Sequence, residues 1–201
     1  MGVGSAVVVV GSSTGGPPAL VNLFGAFSAA PACTFLVAQH MPAGFTQGFA
    51  ERLNRLTPLR VKEAAGGEEL EPGTALIAPG GCNLELELVG SRVLTRIDAR
   101  TEKSRYVPSV DLLFASAAKQ FGENLLAIVL TGMGDDGREG ACQVKEAGGR
   151  VIAESEETAV IYGMPKQVVD AGAADEILPL GKIPAAIQFG VKKSQARLSR
   201  G

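Results

Sequence analysis

The sequence predicts an α/β fold built on a mostly parallel sheet. Three observations predict it. Short, continuous apolar runs recur along the chain, stretches with helical spacing lie between them, and only one region alternates strictly with period two. Continuous apolar runs suit strands covered on both faces. Strands that alternate with helices imply right-handed crossovers between parallel neighbours.

The expected buried strands are Ala6–Val10, Thr34–Ala38, Thr74–Ala78, Leu125–Leu130 and Val151–Ala153, most of which run into Gly, Ser or Pro. Helices are expected over Pro17–Phe27 and Pro42–Leu56. A further helix follows Pro108, where Val110, Leu113, Phe114, Ala117 and Phe121 recur at helical spacing behind Ser109 as N-cap. The segment Gly137–Ala147 is another helix candidate, stopped by Gly148-Gly149. Leu84 to Leu88 alternates, Gly90-Ser91 follows, and Val93, Thr95 and Ile97 alternate again, which predicts a β-hairpin added antiparallel to the sheet. One domain over residues 1–190 is expected, with 191–201 as a tail in which Lys192–Arg197 is a frayed or solvated helix end.

Composition narrows the function. The 201 residues are 46% hydrophobic and 20% charged, and 19 basic against 21 acidic side chains leave a net charge of −2. No basic surplus exists to draw the chain onto nucleic acid or anionic lipid. Three cysteines without a CxxC pair argue against a disulfide framework or a thiolate zinc site. The first aliphatic run is too short to span a membrane, so a cytoplasmic location and no membrane insertion are expected.

Three expected strand ends carry polar clusters: Gly11–Pro17, Gln39–Pro42 and Thr131–Gly137. Ligands of open α/β sheets bind outside the carboxyl ends of parallel strands. The clusters hold a hydroxyl, an imidazole and a carboxylate, the groups that acyl transfer needs. Ser12, Ser13 and Thr14 sit on a glycine-rich turn into a helix. They serve equally as N-caps or as a nucleophile beside free helix amides. The P-loop lysine and the GxGxxG spacing of nucleotide sites are both missing there. His40 is the only histidine, so a histidine base must be this one; a satisfied structural role is the competing reading. Asp136 and, by chemistry alone, Asp135 are equal candidates for orienting it, and Asp136 could instead cap the next helix. Too few ligands are present for zinc. Asp111, Asp135 and Asp136 could hold magnesium, but no phosphoryl-transfer motif accompanies them. No cofactor is expected.

Taken together, Ser13–Gly16, Gln39–Met41 and Thr131–Gly137 resemble the catalytic motifs of the CheB methylesterases. Ala78-Pro79-Gly80, Pro108–Phe114 and Gly163-Met164-Pro165 are similar as well, in the family's order, from about Ala6 to Pro184. The resemblance implies a Rossmann-like, doubly wound fold and a protein-glutamate methylesterase. Ser13 would be its nucleophile, His40 its base and Asp136 the orienter, with backbone amides of Thr14 and Met133 facing the oxyanion. The implied substrate is a glutamyl methyl ester on the cytoplasmic helices of a chemoreceptor or receptor-like protein, with deamidation of receptor glutamines by the same chemistry. Typical members carry a receiver domain that these residues lack, so phosphorylation-dependent control is not expected to be encoded here. Asn83 stands where the family often has His, and Tyr106-Val107 where it often has His-Arg. The competing readings are a degenerate module that only binds a receptor helix, and a nucleotide-binding Rossmann module using the Gly11–Gly16 loop.

Overall fold

A computed structural model describes residues 6–99 and 105–198. The first residues of the expected 1–190 domain and the last three of the expected tail lie outside them. The elements are β1 (Ala6–Ser12), α1 (Gly16–Gly25), β2 (Cys33–Gln39), α2 (Thr46–Leu56), β3 (Arg60–Glu63), β4 (Thr74–Ile77), β5 (Cys82–Val89), β6 (Arg92–Ala99), α3 (Val110–Phe121), β7 (Leu125–Val129), α4 (Arg138–Glu146), β8 (Arg150–Glu154), α5 (Met164–Asp170), β9 (Glu176–Leu178) and α6 (Ile183–Leu198).

Seven strands form one sheet in the order β3-β4-β2-β1-β7-β8-β9, and every pairing in it is parallel. Strand pleating explains the two cores. In β1, Val8 and Val10 point to one face and Val7 and Val9 to the other; Phe35 and Val37 of β2 oppose Leu36 and Ala38 in the same way. The first face packs against α1, α2 and α6, and the second against α3, α4, α5 and the β5–β6 pair. Both faces are therefore covered, which is why the inner strands show no polar alternation.

The five expected strands are present, each with ends shifted by two residues or fewer. The sheet has two further edge strands, β3 and β9, which the apolar pattern does not reveal. Arg60–Glu63 carries three charged residues in four, and Glu176–Leu178 is three residues long. The hairpin forms, with Leu84 opposite Ile97, but it does not extend the main sheet. It stands as a separate two-stranded sheet whose Leu84 and Leu86 pack into the core beside α3, and the Leu86 amide donates to Ser116 Oγ at 3.1 Å. Helix α2 begins at Thr46 rather than at Pro42, because Gly44 takes a left-handed φ of 84° that interrupts helical winding. Residues 191–198 of the expected tail belong to α6, which runs through residue 190 without a break and buries Val191.

Chain order places β1 at the switch point. From β1 the connections run outward to β2 and beyond, then return to β7 on the other side. Gly11 makes this junction tight. A Cβ there would lie 2.3 Å from Val110 Cγ1, so the absence of a side chain lets the first turn of α3 press against β1. The N-terminus of α3 thereby reaches the carboxyl ends of the central strands.

Candidate active site

Parallel register brings the first two candidate residues together. Ser12 pairs with Gln39 at the end of the β1–β2 ladder, so the next residues along, Ser13 and His40, emerge side by side. The His40 amide donates to Ser12 O at 2.9 Å, and the Ser13 amide donates to Thr131 O at 3.0 Å on the opposite flank. Pleating also separates the two serines. Ser12 is fully buried and donates to Gln39 Oε1 at 2.6 Å. Ser13 is partly exposed and lines a cavity of about 610 Å³ with His40, Thr14, Tyr106, Met133 and Gly134. Among the described residues the Ser13 hydroxyl makes no hydrogen bond.

His40 Nε2 lies 2.7 Å from Asp136 Oδ2. Asp136 is buried, with 3% of its surface exposed. It also accepts from the amides of Val110 at 2.8 Å and Asp111 at 2.9 Å, and from Ser109 Oγ at 3.2 Å. The carboxylate thus sits on the N-terminus of α3, where free amides and the helix dipole favour an anion. Burial alone would raise its pKa, but the hydrogen bonds from His40, Val110 and Asp111 outweigh it and hold the carboxyl below its ordinary range. An ionised Asp136 only accepts, so Nε2 of His40 donates in this contact.

The two neighbouring aspartates separate in the same way as the two serines. Asp135 turns outward, accepting from Tyr106 Oη at 3.2 Å and pairing with Arg105 at 3.3 Å. The expectation that Asp136 could cap its own helix is half right. It caps α3, while Asp111 of α3 caps α4 in return, its Oδ1 accepting from Gly137 at 2.9 Å and Gly140 at 2.7 Å. Burial, with the Asp136 charge beside it, pushes the Asp111 carboxyl up to about 6 against those amide bonds. Among the described residues no group of three or more His, Cys, Asp or Glu could hold a metal ion.

The Thr131–Gly134 loop closes the third side. Its Thr131 is a hub that the sequence did not single out. The Thr131 amide donates to Glu154 Oε2 at 2.8 Å, and its hydroxyl donates to Thr14 O at 2.9 Å and accepts from Ile161 N at 2.9 Å. Glu154 is fully buried at the end of β8, and nothing in an Arg-Val-Ile-Ala-Glu run announces such a role. The loop also lies hard against the serine turn, since a Cβ at Gly132 would come within 2.8 Å of Ser13 Cβ. The amides of Thr14 and Met133 have no hydrogen-bond acceptor among the described residues, and both residues line the cavity. Tyr106, which the sequence marks only as a departure from the family pattern, stacks its ring on His40 with centroids 5.0 Å apart and planes 4° apart.

Comparison with known proteins gives a consistent picture. A family profile described as CheB methylesterase matches residues 8–187. The chain is 50% identical over 181 residues to a protein-glutamate methylesterase/protein-glutamine glutaminase of Geobacter sulfurreducens, covering 90% of this chain and 49% of that protein. It is 46% identical over 187 residues to a like-named protein of Nitratidesulfovibrio vulgaris, covering 93% and 51%. The chain spans about half the length of these curated relatives. The crystal structure of the Thermotoga maritima CheB methylesterase catalytic domain superimposes with a TM-score of 0.88 at 42% identity, covering 92% of this chain and 98% of that one.

Proposed function

The chain belongs to the CheB methylesterase family, and from that premise we propose that it is a serine hydrolase acting on glutamyl methyl esters of chemoreceptor-like proteins. The observation that carries the proposal is the His40 Nε2–Asp136 Oδ2 contact of 2.7 Å, directly behind a cavity that also opens onto Ser13. Residues 1–190 are assigned as the catalytic domain. Family membership supports a cytoplasmic location; no described helix is long and apolar enough to cross a membrane.

The mechanism assigns each group one task. Ser13 Oγ attacks the ester carbonyl as His40 Nδ1 takes its proton. The Thr14 and Met133 amides stabilise the tetrahedral oxyanion. His40 then passes the proton to the departing methoxide, which leaves as methanol, and a glutamyl–Ser13 ester remains. Water attacks this ester, His40 takes the water proton and returns it to Ser13 Oγ, and free glutamate is released. A glutamine side chain in place of the ester would release ammonia by the same steps. Asp136 holds the Nε2–H tautomer and offsets the positive charge that His40 gains.

Methanol release from a methylated receptor preparation tests the reading. Ser13→Ala is expected to lower the rate by about a thousandfold or more with the melting temperature unchanged. Full activity in that variant would refute the assignment. A degenerate binding module would bind receptor without releasing methanol, and a nucleotide module would bind ATP or NAD in a direct titration.

A further inference from the structure

The space over His40 is occupied by a side chain that the mechanism above does not use. The Tyr106 ring lies parallel to the imidazole, with centroids 5.0 Å and planes 4° apart, the offset stack that aromatic quadrupoles favour. It is held in turn. Its hydroxyl donates to Asp135 Oδ1 at 3.2 Å, and Arg105 lies 5.1 Å from its centroid while pairing with the same carboxylate. Gly134 makes room for it, since a Cβ there would lie 2.5 Å from the phenolic oxygen. Tyr106 and Arg105 line two cavities, one shared with Ser13 and His40 and the other with Asp135 and Asp136.

The consequence for His40 follows from its shape. The hydrogen bond to Asp136 fixes one ring nitrogen but leaves rotation about that contact free. Tilting or flipping the imidazole sweeps volume above its plane, and the parallel, offset ring with its centroid 5.0 Å away stands in part of that volume. Proposed catalysis needs Nδ1 aimed at Ser13 through both halves of the reaction, as the hydroxyl proton comes off and goes back on.

We propose that Tyr106 is a positioning residue that keeps the His40 ring in the plane joining Ser13 to Asp136, with Asp135 and Arg105 anchoring it through the phenol. This rests on the methylesterase reading for its kinetic readout, but the ring order of His40 can be measured without substrate. Because His40 is the only histidine, its imidazole nitrogens give unambiguous NMR signals in the whole chain. Tyr106→Phe keeps the ring and removes the anchor. Tyr106→Ala removes both, and Tyr106→Leu fills the space without a flat face if the Ala variant does not fold.

The expected result is a single Nε2–H tautomer in the wild type and in Tyr106→Phe. The Ala or Leu variant should show a mixture of tautomers and a three- to tenfold lower kcat at nearly unchanged KM, about the worth of one aromatic pair. Tyr106→Phe should restore most of the rate. An unchanged tautomer in the Ala or Leu variant overturns the proposal, as does a loss confined to KM, or an equal loss in the Phe and Ala variants. If instead no variant and no wild type releases methanol while the tautomer shift occurs, the positioning role stands and the methylesterase reading fails.

Discussion

At the scale of single residues, adjacent and chemically identical side chains take opposite fates because the backbone turns them to opposite sides. Ser12 is fully buried against Gln39, while Ser13 opens on the cavity. Asp136 meets His40 and Asp135 meets Tyr106. Composition and spacing left both pairs undecided, and only the resemblance to a family singled out Ser13 and Asp136. Asp136 also explains why a carboxylate survives this depth, since each of its oxygens accepts twice: Oδ1 from Ser109 and Asp111, Oδ2 from Val110 and His40. Asp136→Asn must therefore turn its amide NH2, a donor, toward one of those donor pairs. Esterase activity is expected to fall by about four orders of magnitude, with a stability loss of about 1–3 kcal/mol from the unmatched donors. Methanol release and a urea melt on the same preparation check both. Because its folded pKa lies below the unfolded value, the ionised Asp136 contributes stability that is present above about pH 4 and lost as pH falls through the lowered folded pKa.

At the scale of elements, α3 and α4 exchange carboxylates: Asp136 precedes α4 and caps α3, while Asp111 lies in α3 and caps α4. The helix-period pattern of Val110 to Phe121 was legible and so was Ser109 as its cap, which accepts from Leu112 at 3.3 Å. The exchange was not legible, because it joins residues 25 or more positions apart that meet only after the sheet forms. Edge strands β3 and β9 were hidden for a related reason, since being short or charge-rich they owe their extended form to a neighbouring strand rather than to their own pattern. Asp111 gives the exchange a pH signature of the opposite sign to Asp136. Its folded pKa of about 6 exceeds the unfolded value of about 3.9, so the unfolded chain loses this proton first. The contribution of Asp111 to stability therefore falls as pH rises from about 4 to about 6 and stays lost above. Asp111→Asn keeps the Oδ1 acceptor that serves both Gly137 and Gly140 and removes the charge. The variant is expected to melt at or above the wild-type temperature at pH 8, with the difference shrinking by pH 4. A lower melting temperature at pH 8 would count against this account.

At the scale of the whole molecule, one parallel sheet divides two apolar cores and delivers every proposed site residue to a single edge. Fold class and five strands were legible because strands covered on both faces are written as unbroken aliphatic runs. The placement of the hairpin was not legible, because its alternation specifies one buried face without saying which surface covers it; α3 does so rather than the main sheet. Phe35 shows how far the core supports the site. It is fully buried in β2 and packs against Phe24 and Phe27 at 4.9 and 6.1 Å. Phe35→Ala is expected to cost about 3–5 kcal/mol and to lower the midpoint of chemical denaturation accordingly, a loss that equilibrium unfolding measures directly. The junction of β1 and β2 has a consequence of its own. Ser13 directly follows the last residue of β1, so deleting one residue within the strand, even an aliphatic one, would draw Ser13 into the buried place of Ser12 and set Thr14 at the cavity, while inserting one would set Ser12 there instead. Amino-acid exchange along this strand should thus be forgiven far more readily than any change in the count of residues leading to the turn.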